Sequence, residues 1–185
     1  MDEHPVRLPM NIPEEQKETL ETTDEELFLK GACHVFAEEL CKEFVAHPYQ
    51  FCAVRAETWS RHPDVGDSLS NGKELVHVLA CKDDYVIDVE GIKLRSECLV
   101  EWQNKTSDPR GGWIRYYKDI DIQACSREEL FEVRLTEPMA GPMSRHRLAL
   151  HPQFLHEASS RARRIIELAR NKFDIERIGS PTLIL

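Results

Sequence analysis

The apolar pattern of this chain changes period at His47-Pro48, and that change fixes the order in which its elements are laid down. Before it, residues 33–45 (CHVFAEELCKEFV) repeat Phe36, Leu40 and Phe44 at helical spacing, with Cys33, Ala37 and Cys41 beside them and Glu38, Glu39, Lys42 and Glu43 on the other side. This is an amphipathic helix that must pack on something, and His-Pro ends it. After it the period is two. Residues 50–58 (QFCAVRAET), 74–81 (ELVHVLAC) and 84–90 (DYVIDVE) are expected to be strands, the last two joined by a tight turn at Lys82-Asp83, with Gly91 closing the hairpin. A helix from Ser96 to Trp102, a strand at 113–117 (WIRYY) and a long helix over 153–173 follow, the last striped by Phe154, Leu155, Ala158, Ala162, Ile165, Ile166, Ala169 and Phe173. Helices, then strands with helical insertions, then a closing helix make an α+β fold with an antiparallel sheet.

Punctuation divides the rest. Residues 1–20 hold three prolines and little apolar order, so a flexible arm is expected there and a single domain over 21–185. Thr23 with Glu26, and Ser126 with Glu129, have capping-box spacing, and Gly31 breaks the first helical stretch from the second. Loops are expected at 64–72 and 103–112, and an extended connection at 136–153.

With 185 residues and 41% apolar content the chain can bury a core of its own. No run approaches 18 apolar residues, which argues against a membrane span. Six cysteines without a CxxC pair, behind an acidic N-terminus that lacks a signal pattern, point to reduced thiols in the cytoplasm, or in a chain delivered into a host or target cell without a classical signal peptide. A net charge of −9 argues against nucleic acid as a partner. The charge is uneven. Residues 141–185 carry eight Lys and Arg against four acids, a net +4 that leaves −13 on the others. The basic last helix is therefore a candidate surface for a protein partner, or it packs against the chain's own acidic body.

The chemistry concentrates at three residues. Cys33 opens a helix, where the macrodipole favours a thiolate and unpaired first-turn N–H groups, that of Cys33 included, suit an oxyanion. Asp88 stands in the apolar run Tyr85-Val86-Ile87-Asp88-Val89, and a carboxylate there needs a partner. With Lys82-Asp83 as the turn, His77 lies directly opposite Asp88 on one face, suitably for the acid to hold Nδ1–H and leave the other nitrogen free. The pair is expected to face the start of the Cys33 helix.

GACHVFAEEL and HVLACKDDYVIDVEG, in this order, resemble the papain-like superfamily in its broad sense. That group includes cysteine proteases, peptidoglycan amidases, transglutaminases, arylamine acetyltransferases and bacterial glutamine deamidases. The resemblance implies a helix bearing the nucleophile packed on an antiparallel sheet, a Cys33–His77–Asp88 triad, a protein or peptide-like substrate, and no cofactor. It also implies the setting of a bacterial or phage effector, toxin or modifying enzyme. The glutamine such proteases often carry before the nucleophile is absent from Phe28-Leu29-Lys30-Gly31-Ala32, and Gln16 and Gln50 are off the expected spacing.

Other readings stay open. Glu90 shares a face with Asp88 and is an alternative orienting acid. His34, Trp59, Glu90 and Trp113 are candidates to line a substrate cleft, with core or rim packing as the alternative for the aromatics. Cys33, His77 and Cys81 fit no zinc spacing, so no metal site is expected. The rival to an enzyme is a partner-binding protein that keeps the fold without the chemistry.

Overall fold

The computed structural model describes residues 12–46, 48–68, 73–107, 113–131 and 149–177. Seven strands form one sheet: β1 (Gln50–His62), β2 (Gly66–Ser68), β3 (Lys73–Lys82), β4 (Tyr85–Asp88), β5 (Gly91–Leu94), β6 (Thr106–Ser107) and β7 (Ile114–Cys125). Their order is β5-β4-β3-β1-β7-β6, with β2 on β1, and each pairing is antiparallel. The described residues also form six α-helices: α1 (Glu14–Leu20), α2 (Asp24–Lys30), α3 (Cys33–Glu43), α4 (Arg95–Asn104), α5 (Arg127–Phe131) and α6 (Pro152–Leu168). The mixed α+β class and the antiparallel sheet agree with the sequence pattern.

Local signals explain the helix starts. Thr23 accepts a hydrogen bond from the Glu26 N–H at the head of α2, and Ser126 does the same for Glu129 before α5. His151 caps α6 through a bond accepted from Gln153 N–H, with Pro152 in the first turn. The apolar stripe of α3 is buried, with Phe36, Leu40 and Phe44 5% exposed or less. Glu38 and Glu39 of the expected polar side are buried as well, at 6% each, where Glu39 meets Lys42 and Ser159.

The sheet has a core on each face. On one, Phe28, Phe36, Leu40, Phe154, Ile166 and Phe173 pack with Val78, Ala80 and Ile87, so α2, α3 and α6 share that side. On the other, Cys98 and Trp102 of α4 pack with Cys52, Val54, Leu79 and Val86. From Val78 to Cys81 alternate residues of β3 face different helices. An irregularity in the β1 pairing beside His77 reverses the alternation, so that Val76 shares the α4 side and Leu75 the α3 side.

Several expectations need correction. The arm is not wholly irregular: residues 14–20 form α1, anchored by the buried Leu20, with buried Ile12 just before it, while 1–11 lie outside the described residues. Two apolar anchors make too faint a period to be seen in the sequence. β1 runs on to His62 because β7 and β2 pair with its far half. α6 ends at Leu168, and a 3-10 turn over Arg170–Lys172 replaces its expected last turn. Of the expected connection at 136–153, residues 136–148 lie outside the described residues, as do 69–72 and 108–112 of the two loops.

The basic last helix faces the chain's own acids. Arg161 donates to Asp24 Oδ1 (2.6 Å) and to the carbonyls of Leu20 (2.6 Å) and Thr22 (3.0 Å). Arg164 lies 3.8 Å from Asp24, Arg163 3.8 Å from Glu39, and Arg170 pairs with Glu43. No helix among the described residues is long and apolar enough to cross a membrane.

Candidate active site

Three elements position the candidate residues. Cys33 is the first residue of α3, behind an Ala32 N-cap that offers no side-chain acceptor. Val35 N–H bonds the Ala32 carbonyl at 2.9 Å, and the backbone of Cys33 and His34 lies against the Cys33 thiol. The thiol is half-buried and reaches β3 at the backbone of Val78, the residue after His77. Asp88 ends β4 and is close enough for its charge to act on that thiol. The structure thus gathers Cys33, the His77 segment and Asp88 at one corner of the sheet.

Within that corner the contacts differ from those expected. The β3–β4 ladder pairs Ala80 with Ile87, Cys81 with Val86 and Lys82 with Tyr85, so Asp83-Asp84 are the turn residues. Asp83 has φ of 53°, a left-handed conformation that Asp tolerates and Lys takes less readily. The turn moves one residue along, and Asp88 comes to stand diagonal to His77 instead of directly opposite. A two-residue change in pairing keeps both on one face. That face is the α4 side. α3 packs on the other, so Cys33 meets β3 at its backbone, and the pair does not look directly onto the helix start.

His77 is 3% exposed and its Nδ1 has no hydrogen-bond partner among the described residues. Its ring lies 5.7 Å from that of Trp102. Burial, helped by the positive charges of Lys105 and Lys93, lowers its pKa from 6.5 to about 3. Asp88 accepts from the Glu90 N–H at 2.9 Å. Burial raises its pKa, against the pull of Lys93 and of that N–H. The Cys33 thiol is likewise pushed up by burial, which outweighs the backbone groups of Val78, His34 and Cys33 itself. The expected lowering at a helix start is overturned here because desolvation of a thiolate exceeds the help of the helix end.

The other candidates separate. Glu90 is exposed and ion-paired with Lys93 at 2.6 Å, and Lys93 also holds Glu101 at 2.8 Å. His34 is fully buried, its ring 6.1 Å from Phe131, and so faces the core instead of a cleft. Trp59 stands six residues beyond Ala53, the partner of Val78, roughly 20 Å along β1. There it stacks on Tyr116, with Lys118 Nζ 3.9 Å from its ring centroid. Trp113 joins His62 at that same remote end, with ring centroids 5.1 Å apart. Neither tryptophan lines a cleft with Cys33.

Gln16 is committed elsewhere: its amide donates to the Ala149 carbonyl (3.1 Å) and accepts from the His151 N–H (2.8 Å). Gln50 lines a cavity of about 420 Å³ with Tyr49, Phe51, Cys125, Ser126 and Arg127. The backbone at Cys33 is left as the candidate oxyanion donor. The sequence reading missed Lys93 and Trp102. The one signal for Trp102 was a large aromatic in the polar helix SECLVEWQN. No protein-family model matches the chain, and neither a curated protein nor a solved structure does so.

Proposed function

We propose that the chain is a cysteine-dependent hydrolase or acyltransferase of papain-like type, acting on an amide, isopeptide or thioester bond of a protein or peptide-like substrate. The observation that carries this reading is the meeting of the Cys33 thiol with β3 beside His77, within the field of Asp88. In this mechanism the thiolate attacks the acyl carbon, and first-turn N–H groups at Cys33 receive the oxyanion. His77 takes the thiol proton and returns it to the leaving amine, while Asp88 holds the imidazolium. Water or an acceptor amine then releases the acyl group. For this to run, His77 has to leave Trp102, take Asp88 and reach the Cys33 thiol, which packs with α3 on the opposite face of the sheet. The reading therefore requires a rearrangement of β3 against its two helices.

A second reading, a partner-binding protein without catalysis, is favoured by the raised thiol and the missing Asp88–His77 hydrogen bond. One experiment decides. The protein is mixed with an activated acyl ester or thioester, and the modified residue is identified by mass spectrometry. The enzyme reading expects acyl-Cys33, formed at least about a hundredfold more slowly in His77→Ala. Acylation that misses Cys33, or is indifferent to His77, supports the binding protein.

A further inference from the structure

His77 is held by a helix where an acid was expected. Its buried Nδ1 lacks a partner, and Trp102 of α4 lies against the ring, inclined to it by 41°. The indole is set edge-on to Tyr117 of β7 at 5.1 Å, and Lys105 Nζ stands 4.2 Å from its centroid. An acid for Nδ1 is on the same face. Continuing the ladder one step past Ala80–Ile87 sets Asp88 opposite Leu79, diagonal to His77. Diagonal neighbours are about 7–8 Å apart, within reach of long and aromatic side chains. Asp88 meanwhile accepts from the Glu90 N–H, and Lys93 gathers Glu90 and Glu101 beside it. α4 is held by Cys98 and Trp102, its two buried residues, with Leu99 partly buried on the same core and Arg95 donating to the Asp83 carbonyl, so lifting it moves these few anchors together.

We propose that α4 is a latch on His77: Trp102, with Lys105 over its ring, holds the imidazole off Asp88, and lifting α4 lets His77 turn along the sheet and take Asp88 as its partner. The inference rests on the Cys33–His77–Asp88 reading and gives it a resting state. Trp102 is a positioning residue, since it touches His77 and no reacting atom. The charged and titratable groups around the imidazole are Lys93 from β5, Asp88 from β4 and Glu90 just after it, Cys98 and Glu101 from α4, Lys105 just after that helix, and Tyr117 from β7 behind the indole. The two lysines disfavour an imidazolium in the latched state, and Asp88 favours one once the latch lifts.

The test is an NMR titration of the imidazole nitrogens in the full chain, wild type against Trp102→Leu. The His77 midpoint is expected to rise by about two pH units in the variant. The rise is expected to vanish in Trp102→Leu/Asp88→Asn. A midpoint that stays put, or one that rises equally without the Asp88 carboxylate, overturns the latch, the latter because plain hydration then explains it. If circular dichroism shows that Trp102→Leu does not fold, Trp102→Phe decides, since it keeps an aromatic ring in the core and leaves the Lys105 charge in place. A smaller rise that needs Asp88 supports the latch, and no rise, or one that persists in Trp102→Phe/Asp88→Asn, overturns it. None of these readings involves Cys33, so the latch and the acylation chemistry fail or survive separately.

Discussion

The imidazole of His77 and the indole of Trp102 lie 5.7 Å apart, centroid to centroid, in the core between the sheet and α4. An imidazole so placed is neutral, because charging it would strand a cation in an apolar layer already facing two lysines.

A pH dependence of stability follows. The folded-state pKa is depressed from 6.5 to about 3, so above the ordinary value neither state is protonated and the folded state keeps its full stability. As pH falls below 6.5 the unfolded chain binds a proton that the folded chain refuses. Stability therefore drops toward pH 3, by at most about 1.4 kcal/mol per pH unit from this group. Urea unfolding at about pH 7.5 and about pH 5 is expected to show this loss, and His77→Leu to flatten it.

Arg161 ties the start of the chain to α6. Its guanidinium serves Asp24 and the carbonyls of Leu20 and Thr22 at once, from a largely buried position. Arg161→Ala is expected to cost about 1–3 kcal/mol, since part-buried acceptors lose a charged donor. Arg161→Lys is expected to recover only part, because a lysine has no planar fork. Chemical denaturation midpoints of both variants check this.

Tyr49 closes the other end. Its hydroxyl donates to the Phe173 carbonyl at 2.7 Å and accepts from the Ile175 N–H at 3.2 Å, both buried. Tyr49→Phe is expected to cost about 1–3 kcal/mol by leaving two main-chain groups unpaired. Amide exchange at Ile175 is expected to quicken more than that in β3, which would localise the loss to the 3-10 turns after α6.

Gly91, with φ of 124°, begins β5 opposite Asp88. A Cβ there would stand 3.2 Å from Lys172 Cε, whose ammonium donates to the Val89 carbonyl. Gly91→Ala is expected to cost about 1–3 kcal/mol from backbone strain in a region L-residues rarely adopt. A thermal melt measures it. A loss near zero would mean that the turn relaxes without strain.

How much was legible can be argued residue by residue. Cys33 as the first residue of α3, the Thr23 and Ser126 caps, and the β3–β4 hairpin all rest on local interactions, whose signals lie within a few residues of one another. The shared face of His77 and Asp88 was also legible, because a period of two survives the one-residue shift of the turn. α1 was not: two apolar anchors gain meaning only when α3 and α6 bring a core to them. The register of the hairpin was not, because Lys82-Asp83 and Asp83-Asp84 are both short polar pairs and the choice lies in the left-handed φ of Asp83.

The sequence by itself determined where α2, α3, α4, α6 and the strands β1, β3 and β4 lie, though not all their ends, and that an acid and a histidine share one face of a hairpin. It could do so because periodicity and capping are properties of neighbours along the chain. The tertiary structure alone decided which helix covers that face. It set α4 and its Trp102 against His77 and α3 on the far side, and it half-buried Cys33, enough to raise the thiol's pKa. Burial and the identity of a facing residue depend on contacts between segments distant in sequence, and no local pattern encodes them.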